Sequence, residues 1–280
     1  MIKLIASDLD GTITTNRNSI PPENMIAMDT IKKKKVDFAI CTGKTYSISK
    51  TVCQKCNASY GIFGNGMQIV NLKTGEEIYH SLLSKEQLMS CLEKAKKYHL
   101  HVHVYTQNSI ITPELKYMDL RNYVLSSSYP DLTFEIKKDI FSYLQKQDIT
   151  IYKLVISSIH DLSFLKRELL DSYPLSISHV RKRGPNRDSI IDKEYEYLDI
   201  TPIGISKHSA LQILSSHLHI EKQDIMAIGD NLNDIDMVKN SGIGVAVANA
   251  YSDLKRIATF TTSLPAENGG FAEAIDKYLI

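Results

Sequence analysis

Four short apolar runs in this chain each end in a small or acidic polar cluster: KLIASDLDG (3–11), VDFAICTG (36–43), YGIFGNG (60–66) and DIMAIGD (224–230). A short apolar run with such punctuation reads as a strand buried on both faces. Between the first three lie helical segments. SIPPENMIAMDTIKKKKV (19–36) opens on Pro21-Pro22, a start that a helix tolerates, and YSISKTVCQKC (46–56) follows the second strand. Strand, helix and strand in alternation is the pattern of a parallel sheet with crossover helices.

The alternation breaks near residue 83. MQIVNLKTGEEIYHSLL (67–83) predicts a hairpin turning at Thr74-Gly75. Beyond Ser84 the order changes to a helix over 84–98 and a strand near 101–106. A mixed stretch follows, then strand 150–158, helix 162–172 and strand 175–180. The parallel pattern returns near 195 with YEYLDITP. Next come a helix N-capped by Ser206, the strand ending at Asp230, and a helix closed by Gly242. Short strands and a final helix over 269–279 complete the chain. The expected fold is α/β: a Rossmann-like parallel-sheet core from residues 1–83 and 194–280, with an α+β cap over 84–193 inserted into it. A chain of 280 residues has room for both.

Charge gives little help with partners. The 33 basic and 32 acidic residues leave a formal net charge of +1, so nothing global points to nucleic acid or an anionic membrane. Lys32–Lys35 reads as a solvated helix end, and Arg181-Lys182-Arg183 with Arg187 as a basic surface loop. No run approaches the ~18 apolar residues of a membrane span. The opening MIKLIASDLDG is too short and too acidic for a signal peptide, and a cytoplasmic protein is expected.

The four cysteines form no secreted-type framework. Cys53-Gln-Lys-Cys56 lacks the second pair that a structural zinc requires, and it falls on a predicted helix. His99, His101 and His103 would share one face of a strand and could ligate a metal. The plainer expectation is a half-exposed strand with Leu100, Val102 and Val104 facing inward.

Asp8 and Asp10 end the first predicted strand two positions apart, and their repulsion needs an answer. Thr42-Gly43-Lys44, Lys207 and Gly229-Asp230-Asn231-Leu232-Asn233-Asp234 also fall at strand ends or helix starts. That edge of an open α/β sheet is where ligands bind. Asp8, Asp10, Asp230 and Asp234 are hard oxygen donors that suit Mg²⁺, and Lys207 can offset their charge. One carboxylate can serve as a nucleophile towards phosphorus, and another can protonate the leaving alcohol and then activate water. Thr42 and Lys207 can hold phosphoryl oxygens.

In these motifs the chain resembles the haloacid dehalogenase-like hydrolase superfamily, and within it the Cof-type phosphatases, which carry a large α+β cap. DLDGT (8–12), TGK (42–44), ISKHSAL (205–211) and GDNLND (229–234) occur in the family's order and with family-like spacing. The resemblance implies that Asp8 is the nucleophile and a Mg²⁺ ligand. Asp10 would be the general acid/base, with its backbone carbonyl on the metal. It further implies that Thr42, Gly43, Lys44 and Lys207 bind the phosphoryl group, that Asp230 ligates Mg²⁺, and that Asn233 and Asp234 support the site. Asn65-Gly66 and Asn249-Ala250 resemble family stretches near the active site. Two positions depart from the pattern: Lys44 replaces the usual arginine, and His208 the usual glycine. The implied activity is hydrolysis of a small phosphate ester, such as a sugar or cofactor phosphate, through an aspartyl-phosphate. A phosphomutase of the same superfamily and a catalytically silent ester-binding module are the alternatives. Oligomeric state is not legible.

Overall fold

The structure, a computed structural model, describes residues 1–15, 19–106, 109–116, 133–182 and 195–279. In chain order, the first elements are β1 (Leu4–Ser7), α1 (Pro22–Lys33), β2 (Asp37–Cys41), α2 (Tyr46–Lys55), β3 (Tyr60–Phe63), β4 (Gln68–Asn71) and β5 (Glu77–His80). Then come α3 (Lys85–Lys97), β6 (His101–Tyr105), β7 (Ser109–Thr112), β8 (Thr133–Ile136), α4 (Ile140–Lys146), β9 (Lys153–Ser158), α5 (Ser163–Ser172), β10 (Leu175–Lys182) and β11 (Tyr195–Pro202). The chain closes with α6 (Lys207–His217), β12 (Ile225–Gly229), α7 (Ile235–Lys239), β13 (Ile243–Ala246), α8 (Ser252–Ile257), β14 (Phe260–Thr261) and α9 (Gly270–Leu279).

Two compact units result. The first holds residues 1–46, 50–80 and 206–280, and the second residues 47–49 and 81–205. In the first unit, eight strands run β14-β13-β12-β1-β2-β3-β4-β5. The pairs from β14 to β3 are parallel, and the β3-β4-β5 edge is antiparallel. The predicted hairpin is this edge, with Gly75 in the left-handed region at its turn (φ 78°).

All four residues of β1 and all five of β12 are buried, because helices cover a parallel sheet on both faces. The chain winds from β1 outward through β2 and β3. It returns to the other side of β1 with β12, Leu4 lying opposite both Asp37 and Ile225. The strand order therefore reverses at β1, and the carboxyl ends of β1, β2 and β12 come together at the edge where open α/β sheets bind ligands. Local sequence supports each connection. Pro22 opens α1, and Ser206 caps α6 reciprocally with Ser209.

The second unit is a six-stranded sheet ordered β10-β11-β9-β6-β7-β8, antiparallel except for β7 with β8. Val102, Val104, Leu154 and Ile156 form its core with Leu88, Leu92, Leu165 and Leu169. Ser84 and Gln87 cap α3 reciprocally.

Several expectations change here. The strand 195–202 does not open the returning parallel pattern: β11 lies antiparallel between β9 and β10 in the second sheet. An isolated strand-forming run carries no signal of its partners, and the first unit resumes only at Ser206. The expected half-exposed strand is buried at all five positions of β6. His99 lies before it, in a left-handed turn (φ 53°), so only His101 and His103 share a face. His101 Nε2 meets Thr112 Oγ1 at 3.3 Å and His103 Nε2 meets Ser157 Oγ at 3.4 Å.

Gly242 is not a left-handed cap. A Cβ there would lie 2.5 Å from the Gln223 carbonyl oxygen, so close packing requires the glycine. All four cysteines are free and buried, and burial pushes the Cys53 thiol well up and Cys56 to about 12. Arg181 and Lys182 end β10, whereas Arg183, Gly184, Pro185, Asn186 and Arg187 lie outside the described residues. Among the described residues no helix is long and apolar enough to cross a membrane.

Candidate active site

The loop after β1 places Asp8 and Asp10. Asp8 N donates to Ile228 O of β12 at 2.9 Å, which ties the two strand ends together. Gly11 then turns the chain with φ 85°. A Cβ at Gly11 would lie 2.6 Å from Asp230 Oδ2, so only glycine admits Asp230 this close. Thr12 Oγ1 donates to Asp230 Oδ1 at 3.1 Å.

Lys207, the first residue of α6, is fully buried. Its Nζ lies 2.5 Å from Asp8 Oδ1 and 2.6 Å from Asp234 Oδ1. A buried ammonium is tolerated only when paired in this way. Asp234 is equally buried, and its Oδ2 accepts from Asp230 N (3.1 Å) and Asn231 N (3.0 Å). Both of its oxygens are thus engaged within the protein. Gly229 permits this fold-back, since a Cβ there would lie 2.5 Å from that of Asp234.

Asp8, Asp230 and Asp234 each offer a carboxylate oxygen, all within 4.8 Å of one another. Three carboxylates face one ammonium. Burial holds the Asp8 carboxyl well above its usual range; Lys207 opposes the rise, and Asp234 and Asp230 add to it. Asp230 is pushed up to about 6, by burial first and then by Asp234, against hydrogen bonds from Thr12 and Asp8. Lys207 is held above its ordinary value: burial pulls it down, and the charges of Asp234 and Asp8 outweigh that pull. Asp8 and Asp230, close together and both raised, occupy a place that takes a proton or a cation. An all-oxygen, carboxylate-rich donor set fits a hard divalent cation such as Mg²⁺.

The TGK segment borders the same edge. Thr42 is buried, and its Oγ1 accepts from Lys44 N at 3.1 Å. Lys44 Nζ reaches Asp10 Oδ1 at 2.7 Å. Gly43 packs tightly against Asn65, whose Oδ1 accepts from Asn233 Nδ2 at 2.9 Å. Asn249 links Gly11 O and Ala266 N at 2.8 Å each. Gly66 has φ 113°, and a Cβ there would lie 2.3 Å from Ser206 O, so the Asn65-Gly66 turn fixes the start of the helix that carries Lys207.

The structure therefore gathers Asp8, Lys207, Asp230 and Asp234 into one group, with Asp10 and Lys44 as an adjoining pair. His208 does not join them; its charged neighbours are Asp236 and Lys222. Sequence reasoning missed the pairing of Lys44 with Asp10 and the packing roles of Gly66 and Gly229.

A haloacid dehalogenase-like hydrolase model matches residues 5–275. The chain belongs to that family. Among its relatives is the phosphatase YwpJ of Bacillus subtilis, 24% identical over 96% of this chain and 97% of the relative. The 5-amino-6-(5-phospho-D-ribitylamino)uracil phosphatase YcsE of Bacillus subtilis is also 24% identical, over 100% of this chain and 96% of the relative. The crystal structure of a haloacid dehalogenase-like hydrolase from Bacteroides thetaiotaomicron superposes with a TM-score of 0.82, covering 99% of both chains at 24% identity. The α/β fold is thus that of a haloacid dehalogenase-like hydrolase, with a second unit inserted between β5 and α6.

Proposed function

We propose that this chain is a cytoplasmic, Mg²⁺-dependent phosphomonoesterase that works through an aspartyl-phosphate. The observation that carries this reading is the Lys207 ammonium held between Asp8 and Asp234, beside Asp230. Asp8 attacks phosphorus, and the bond to the leaving oxygen breaks while Asp10 delivers a proton to it. Water then attacks the phosphoryl group on Asp8, Asp10 takes the water's proton, and inorganic phosphate leaves with the carboxylate restored.

Asp8, Asp230 and the backbone carbonyl of Asp10 would hold Mg²⁺, which supplies positive charge opposite the transferring phosphoryl group. Asp234 acts indirectly: with both oxygens engaged, it orients Lys207 and the turn that bears Asp230. Two N–H groups of Lys207 face carboxylates, and the third is available to a phosphoryl oxygen. Thr42 accepts from the Lys44 amide and keeps its O–H for another phosphoryl oxygen.

The substrate is a small phosphate ester, a sugar or cofactor phosphate. The name of the relative YcsE, a phosphorylated ribityl compound's phosphatase, supports that class. Four free, buried cysteines fit a reducing compartment.

Phosphate release from an aryl phosphate tests the reading, with Mg²⁺, with a chelator, and with Asp8→Asn. Turnover that requires Mg²⁺ and disappears in Asp8→Asn is expected. Folded, Mg²⁺-loaded protein that hydrolyses neither the aryl ester nor a panel of phosphorylated metabolites would overturn it.

A further inference from the structure

A cleft lies in the first unit, at the opposite edge of its sheet from Asp8. It sits where β2 and β3 begin, bordered by the ends of α1 and α2 and by the β4-β5 turn, and encloses about 480 Å³. That volume falls in the ordinary range for small-molecule sites.

Its floor is apolar: Met28, Phe38 and Ala58 are buried side chains that line it. Three exposed lysines also line it, Lys32 and Lys35 from the end of α1 and Lys73 from the turn after β4. Lysines at the end of α1 are expected, since they offset the helix dipole. Lys73 has no such cause. It stands in the turn after β4, far along the chain, and converges on the same opening. Asp37 also lines the cleft, and burial raises its carboxyl while nearby Lys73 lowers it. Three ammonium groups and one carboxylate leave the opening positive, and lysine stems can flank an apolar body while their heads meet an anion.

We propose that this cleft binds a small amphipathic anion, a flat apolar body carrying a phosphate, sulfonate or carboxylate, at a site separate from the Asp8–Lys207 group. The apolar part rests on Met28, Phe38 and Ala58, and the anionic part meets Lys32, Lys35 and Lys73. Neither half of such a ligand matches the site alone: inorganic anions leave the floor uncovered, and neutral rings leave the ammonium groups unmatched.

Saturation-transfer NMR on the full chain with naphthalene-1-sulfonate as probe tests this, with 1-naphthol as the neutral comparison and sulfate, read through its displacement of the probe, as the purely ionic one. The sulfonate should bind at least tenfold tighter than either. Lys32→Glu/Lys73→Glu, and the milder Lys32→Met/Lys73→Met, should each weaken it at least tenfold; these exposed positions lie outside the Asp8 chemistry. Asp8→Asn should bind the probe as the parent does. Equal binding of sulfonate and naphthol would overturn the proposal. So would affinity unchanged by both lysine variants, loss of the probe signal on adding inorganic phosphate with Mg²⁺, or no binding at millimolar probe.

Discussion

Lys44 Nζ lies 2.7 Å from Asp10 Oδ1, with Lys44 mostly buried and Asp10 more open. The ammonium therefore orients the carboxylate assigned to proton transfer. Lys44→Met should lower kcat by about 10- to 100-fold, within the range that a positioned acid/base supplies, with KM little changed. Lys44→Arg should restore most of the rate. Steady-state phosphate release separates this from direct phosphate binding, for which KM would rise instead.

Asp234 holds Lys207 with one oxygen and two backbone amides with the other. Asp234→Ala takes this partner from the buried Lys207 ammonium and from both amides. A loss of about 3–5 kcal/mol is expected from breaking such a buried pair, read from urea unfolding. Activity should fall in parallel, because Asp234 holds Lys207 against Asp8 and fixes the turn that bears Asp230.

Gly66→Ala tests a backbone argument. The left-handed φ and the approach to Ser206 O leave no room for a methyl group. Stability should drop by more than about 1 kcal/mol. Turnover should drop further than stability explains, since the displaced residue neighbours Lys207.

His101 and His103 give the second unit a pH response. Burial lowers both, His101 to about 4 and His103 well below its ordinary value. Between the unfolded pKa near 6.5 and the folded value the unfolded chain binds protons that the folded chain refuses. Stability is therefore full above about pH 6.5 and falls as pH drops towards 4, by about 1.4 kcal/mol per pH unit for each histidine. Thermal melting at pH 7.5 and pH 5 should show the loss, and His101→Gln should reduce it.

The first sheet was legible because its central strands are short, mostly apolar and punctuated by Asp8, Gly43, Gly64 and Asp230. The carboxylate group was legible for the same reason: it sits on that punctuation. The second unit was harder to read. Nothing in YEYLDITP indicates that β11 pairs with β9 and β10, because an apolar run carries no label for its partners. β7 and β8 lie in a mixed stretch without periodicity. The Lys44–Asp10 pair spans 34 positions of sequence, and no local pattern announces it. Gly66 and Gly229 were seen only as motif letters, since what they make room for comes from elsewhere in the chain.

β1 sits between β2, which follows it closely, and β12, which arrives more than two hundred residues later. During synthesis one flank of β1 is complete early, and the other stays a bare edge of unpaired N–H and C=O groups until about the last fifth of the chain emerges. The second unit is made in that interval. Chains stalled before Ile225 would expose this edge to one another and to chaperones. The same stalled chains would hold Asp8 without Asp230 or Asp234, so the machinery for chemistry and the protection of the sheet arrive together.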